Sequence, residues 1–303
     1  MLPERDHRRP AGSEEMRCTV DGLNLAGLAW GPETGRPVLA LHGWLDNALS
    51  FEVLGPLLSG CRVVAVDLPG NGLSDHASAD ATYNVWDDLP RVHGLIGALG
   101  WQRCVLLGHS RGAIQSMLYA AAMPERVSAL VTLDGLIPDP VSDANAPAQL
   151  GAFLADRDRY ANRTERIFAS PDDFAQRRAM LGTRADVALR LAPRALRRVE
   201  GGYRLRGDPR LNGASAVKFN TAQCAAFLEG VKAPTLCLWA EQGLRRRGAR
   251  TADALLSAAN RIAGVTLRDL PGDHHFHLDE AVAPLIAREI DGFLAALDET
   301  SIA

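Results

Sequence analysis

The sequence predicts a doubly wound, mostly parallel α/β sheet with a helical cap inserted between two of its strands. Three observations carry this. Short runs that are apolar throughout recur at 37–44, 61–70, 103–110, 126–135, 233–243 and 264–272. A strand without polar alternation is covered on both faces, as in a parallel sheet. The segments between several of these runs have helical spacing, and from 138 to 231 the strand runs cease while helical pieces continue.

The first 15 residues are polar and charged with no apolar run, which predicts a disordered leader and neither a signal peptide nor a membrane anchor. "MRCTVDGLNLAGLAWG" reads as two strands around Asp21-Gly22, a dipeptide that tolerates the positive φ of a tight hairpin turn. Val85, Leu89, Val92, Ile96 and Leu99 recur at steps of three and four, and "RGAIQSMLYAAAM" (111–123) is rich in good helix formers. Between 138 and 231 the helical pieces "PAQLGAFLADRDRY", "PDDFAQRRAM" and "DVALRLAPRALRRV" are Arg-rich and show no strand run. The chain closes on a helix whose Val282, Leu285, Ile286, Ile290, Phe293, Leu294 and Leu297 form one apolar stripe. The expected core is therefore 16–137 with 232–303, and the insertion is 138–231.

Composition narrows the function. The chain has 303 residues, 47% of them hydrophobic, enough for a sizeable core. A net charge of −3 argues against nucleic-acid binding, which needs a basic surface. No apolar run approaches the roughly 18 residues of a membrane span. The five cysteines (Cys18, Cys61, Cys104, Cys224, Cys237) are scattered, without CxxC or Cys/His spacing, and read as reduced thiols of a cytoplasmic protein.

Chemistry centres on Gly108-His109-Ser110-Arg111-Gly112, where an apolar run ends and a helix begins. A serine on so tight a strand-to-helix turn needs small neighbours, which explains the glycines, and it stands where free helix N–H groups favour a developing anion. An unactivated hydroxyl still requires a neutral imidazole in reach.

With these residues in view the chain resembles the α/β-hydrolases. "LHGW" (41–44) is similar to the oxyanion turn of that family, "DLPGNGLSD" (67–75) to its DxPGxGxSD turn, and "PGDHHFHLDE" (271–280) to its histidine loop. "HGWLDNALSF", "LDGLIP", "GGYRLRGDPRL" and "HHFHLDE" look closer still to the serine hydrolase-like branch. The resemblance implies a cap over the site and puts His274 on the catalytic position, with His275 as the other candidate base. His42 and His109 belong to turn motifs and read as structural. Asp67, Pro69, Gly70 and Gly72 read as turn-formers, and Trp86 as either a pocket wall or a buried aromatic at a helix start.

The acid departs from the family pattern. The turn after "PTLCLWAEQG" usually bears an Asp, and here that position is Gly243. Asp134, ending the preceding strand run, is the favoured substitute because some family members carry their acid there. Glu241 is the alternative. The backbone N–H groups of Trp44 and Arg111 are the implied oxyanion donors.

The resulting expectation is a serine hydrolase that cleaves an ester-like bond of a small molecule through an acyl-enzyme on Ser110, His274 and Asp134, with no cofactor. No metal is expected, since the three histidines of 274–277 lack a second ligand pair at metal spacing. Ser110 excludes family members that attack through an Asp, the epoxide hydrolases and haloalkane dehalogenases. Three readings stay open beside it: other chemistry on the same triad (a C–C bond hydrolase, a lactonase, an acyltransferase), a non-catalytic small-molecule binding protein, and a cofactor-free oxygenase using the histidine. The arginines Arg157, Arg159, Arg177, Arg178, Arg197 and Arg198 read as an anion-attracting surface or a solvated helix face.

Overall fold

The computed structural model describes residues 10–161 and 165–302. The first nine residues of the expected leader lie outside them. Glu14 and Glu15, expected within the leader, pair with Ala29 and Leu28 in a strand. Strand β1 (Glu14–Val20) and β2 (Leu23–Trp30) form the predicted hairpin, with φ of 47° at Asp21 and 78° at Gly22.

The chain then alternates through β3 (Arg36–Leu41), β4 (Cys61–Val66), α1 (Leu89–Ala98), β5 (Cys104–His109), α2 (Arg111–Ala122) and β6 (Val127–Leu133). The insertion holds α3 (Ala146–Ala161), α4 (Pro171–Ala179), α5 (Ala185–Ala195), β7 (Leu196–Val199) and β8 (Gly202–Leu205). After it come α6 (Thr221–Gly230), β9 (Thr235–Gln242), α7 (Ala249–Ala259), β10 (Thr266–Asp273) and α8 (Ala283–Ile302). The eight-stranded sheet has the order β1-β2-β4-β3-β5-β6-β9-β10, parallel from β4 to β10.

This order places the site. The chain winds outward from β3 to β4, then returns across β3 to β5, so the connections leaving β3 and β5 diverge to opposite sides. Such a switch point opens a crevice at the carboxyl ends of the two strands. Alternate residues of each strand feed separate cores. Leu39 and Leu41 of β3 pack with Val92 and Ile96 of α1 and Met117 of α2, whereas Val38 and Ala40 pack with Ile286, Ile290 and Leu294 of α8. Both faces are thus covered, the physical reason the strand runs contain no polar alternation.

The insertion differs from the expectation in two ways. It is not wholly helical, since β7 and β8 form a hairpin in the register Val199↔Gly202. Its four-residue strands, one of them "LRRV", bury a single face of a small element and so carry no apolar run. Its boundary also falls earlier than residue 231. Leu228 of α6 and Val231 belong to the core that holds Met117 and Leu118, whereas Phe168, Phe174, Ala188 and Leu196 form a separate small core of the insertion.

Candidate active site

Ser110 lies between β5 and α2 with φ 52° and ψ −114°, a conformation rare for a residue with a side chain. The turn is held by close backbone approach. A β-carbon at Gly108 would meet the carbonyl oxygen of Gly112 at 2.4 Å, and one at Gly112 would meet that of Leu41 at 2.0 Å. The second contact also seats the N-terminus of α2 against the end of β3. Ser110 itself is half-buried.

His274 follows β10 directly. Its Nε2 is 2.9 Å from Ser110 Oγ and its Nδ1 is 2.6 Å from Asp134 Oδ2. Asp134 is fully buried, at the end of β6 with φ 41°. Its carboxylate also accepts the N–H of Ala240 at 3.3 Å and of Leu244 at 2.9 Å. A buried carboxylate that accepts three hydrogen bonds is fixed in position, and with Nδ1 turned to it the imidazole presents Nε2 to Ser110 Oγ. Glu241 is exposed at the end of β9. His275 points its Nε2 at Asp46 Oδ2, 3.2 Å away. The structure thus brings Ser110, His274 and Asp134 together and leaves Glu241 and His275 outside that array.

The turn after β3 carries His42, Gly43 and Trp44, with Leu45 at φ 60°. His42 Nε2 accepts the N–H of Leu68 at 3.1 Å and Nδ1 donates to the Gly43 carbonyl at 2.7 Å, so its tautomer is defined. Burial lowers its pKa, outweighing the Gly43 hydrogen bond and the nearby Asp67 and Asp46. Arg111 opens α2, where first-turn N–H groups have no intrahelical acceptor.

The family model for the alpha/beta hydrolase fold matches residues 36–281. The chain belongs to the α/β-hydrolase family. A serine hydrolase-like protein of Danio rerio is 35% identical over 295 residues, covering 90% of this chain and 87% of its own. One of Dictyostelium discoideum is 29% identical over 282 residues, covering 86% and 76%. The crystal structure of a hypothetical protein of Pseudomonas aeruginosa PAO1 superposes with a TM-score of 0.87 at 38% identity, covering 93% of this chain and 99% of that one. These likenesses place this α/β-hydrolase in the serine hydrolase-like branch.

In this α/β-hydrolase the insertion is tied to the loops around Ser110. Trp44 Nε1 donates to the Leu211 carbonyl at 2.9 Å, Asn47 Nδ2 to that of Leu191 at 3.0 Å, and Arg178 to Asp46 Oδ1 at 3.3 Å. Arg194 forms a buried pair with Asp67 at 2.7 Å and reaches Glu15 at 2.9 Å. Of the arginines singled out in sequence, Arg178 is therefore an anchor, Arg159 pairs with Asp156, Arg197 approaches Glu165, and Arg177 and Arg198 are exposed. Arg157 lines a cavity of about 370 Å³ with Tyr83, Phe153, Tyr160 and Arg210, beside the loop whose carbonyls at Tyr83 and Asn84 accept from Arg111. Trp86 packs on Phe219 with ring centroids 5.0 Å apart.

Sequence reasoning missed Asp46 and Arg194. Asp46 lies only four residues beyond His42, but its partners come from positions 109, 178 and 275, so no local pattern marks it. Arg194 follows Arg190 in α5 and precedes Arg197 and Arg198 of β7, and is set apart from them only by burial. Around Asp46 the imidazoles of His109, His275 and His277 cluster, with the His109 ring 4.2 Å from that of His277. Burial pushes His109 down to about 4, leaving it neutral at neutral pH.

Proposed function

We propose that this protein is a serine hydrolase that cleaves an ester-like bond of a small-molecule substrate through an acyl-enzyme intermediate. The observation that carries the reading is the hydrogen-bonded line from Ser110 Oγ through His274 to Asp134. Ser110 Oγ attacks the substrate carbonyl while His274 Nε2 takes its proton. The N–H groups of Trp44 and Arg111 receive the oxyanion, each such donor typically lowering the barrier by about 3 kcal/mol. His274 then gives the proton to the leaving alcohol, and water repeats the sequence to free the acid. Asp134 holds the imidazole tautomer throughout. No cofactor enters this scheme.

The insertion between β6 and β9 acts as a cap, tied by its contacts with Trp44, Asp46 and Asn47 to the loop after β3. Two features suit a cytoplasmic enzyme. All five cysteines are free thiols, as a reducing compartment keeps them, and no helix among the described residues is long and apolar enough to cross a membrane.

A fluorescent fluorophosphonate, which traps an activated serine, tests the assignment. The wild-type protein is expected to label, Ser110→Ala and His274→Ala to lose labelling, Asp134→Asn to label about 10³–10⁴-fold more slowly, and Glu241→Gln to label normally. Absent wild-type labelling, or equal labelling of Ser110→Ala, would overturn the assignment in favour of a binding protein.

A further inference from the structure

Behind Ser110 and His274, two loops and the end of β5 converge on one buried point, and we infer that Asp46, His109 and His275 form a binding site for a single divalent transition-metal ion of zinc-like ligand preference. Asp46 Oδ2 is 3.6 Å from His109 Nδ1 and 3.2 Å from His275 Nε2, and the three donor atoms lie within 4.8 Å of one another. Ligands bound to zinc at about 2.0–2.1 Å in a tetrahedron stand about 3.3–3.5 Å apart. Both edges from Asp46 are close to that spacing, and the third, between the two imidazoles, is within 4.8 Å.

His109 shows why a cation belongs there. Its Nε2 is 2.7 Å from the backbone carbonyl of His274, which can only accept, so Nε2 carries the proton. In the neutral ring Nδ1 is then a bare lone pair. It is sealed from solvent, has no hydrogen-bond partner among the described residues, and faces a carboxylate across a gap too long for a hydrogen bond. Asp46 Oδ2 has His275 Nε2 as its partner at 3.2 Å, so the unsatisfied atom is His109 Nδ1, a buried lone pair that is costly to leave alone and that a metal ion shared with Asp46 and His275 would engage.

The surroundings match how proteins hold metal ligands. A ligating imidazole usually donates its other N–H to a carbonyl, as His109 does, and a ligating carboxylate has its second oxygen engaged, as Arg178 engages Asp46 Oδ1. The gap is also kept open. A β-carbon at Gly43 would stand 2.9 Å from His109 Nδ1 and 3.0 Å from Asp46 Oδ2, crowding both donors from one side. Because His109 holds the His274 carbonyl and His275 adjoins it in the chain, an ion here clamps the loop that presents His274 to Ser110.

Cobalt(II) titration of the chelator-treated protein, followed by visible absorption, tests the site. One saturating equivalent is expected, with the intense d–d bands of low coordination number, no thiolate charge-transfer band, and displacement by zinc. Asp46→Asn, His275→Gln and Gly43→Ala are each expected to weaken binding about tenfold or more, within the range that even outer ligand partners command. Ser110→Ala should bind as the wild type does, which keeps this result separate from the hydrolase assignment. No spectrum at one equivalent, thiolate bands, or a titration unchanged in His275→Gln would overturn the site. The wild-type spectrum decides the ligand set even where a variant fails to fold.

Discussion

At position 243 a β-carbon would lie 2.2–2.5 Å from the carboxylate atoms of Asp134. Two side chains from neighbouring strand ends cannot share that space, so an acid presented from β6 requires a glycine after β9. Gly243 thus leaves open the space that the Asp134 carboxylate fills. Gly243→Ala should displace the carboxylate and slow fluorophosphonate labelling toward the rate of Asp134→Asn. The double variant Asp134→Gly with Gly243→Asp should label at least about tenfold faster than Asp134→Gly alone, because the acid re-enters the same space from the other strand. Equal rates for the single and double variants would show that the two positions are not interchangeable. Ser110 was legible in sequence because its whole signature is local, a glycine on each side at a strand-to-helix junction. Asp134 was favoured over Glu241 only through the family resemblance, since neighbouring residues do not say which strand end projects beneath the imidazole.

At the scale of elements, α5 fastens the insertion to the sheet. Arg194 is 3% exposed and lies between Asp67, itself fully buried after β4, and Glu15 on β1. Asp67 also accepts the N–H groups of Ala48 at 2.7 Å and Leu73 at 2.8 Å, so one carboxylate joins the loop after β3, the loop after β4 and the insertion. Removing one partner of a buried ion pair strands the other charge. Arg194→Ala is accordingly expected to lower the unfolding free energy by about 3–5 kcal/mol, read by urea denaturation. A loss below about 1 kcal/mol would mean that water replaces the guanidinium freely. The "DLPGNGLSD" segment was readable as a turn, but its role in holding the insertion was not, because the partner lies more than 120 residues away.

For the molecule as a whole, folding buries His42 in a form that acid opposes. Its Nε2 must accept the Leu68 N–H while Nδ1 donates to the Gly43 carbonyl, and a protonated ring has no acceptor to offer. The folded pKa is lowered from 6.5, chiefly by burial. Between that lowered value and 6.5 the unfolded chain binds more protons than the folded one. Stability is therefore fully present above about 6.5 and falls as the pH drops below it, by up to about 1.4 kcal/mol per pH unit for this proton. Urea unfolding from pH 7.5 to pH 5 should show a falling stability to which buried His109 also contributes, and His42→Gln should make the slope shallower by the share of one proton. An unchanged slope in the variant would assign the acid sensitivity to other groups.

The sequence alone determined what is written in neighbouring residues. Strands buried on both faces announce themselves as apolar runs, helices as three- and four-residue spacing, and the elbow as glycines around Ser110. That was sufficient for the sheet, its windings and the order of the site loops along the chain. Tertiary structure alone decided which other distant groups meet: Gly243 making room for Asp134, Arg194 on Asp67, and His109 and His275 about Asp46. A short hairpin such as β7–β8 escaped for a related reason, having too little buried face to leave a pattern. Local propensity and periodicity act over a few residues, whereas a buried charge or lone pair takes its partners from wherever the fold delivers them.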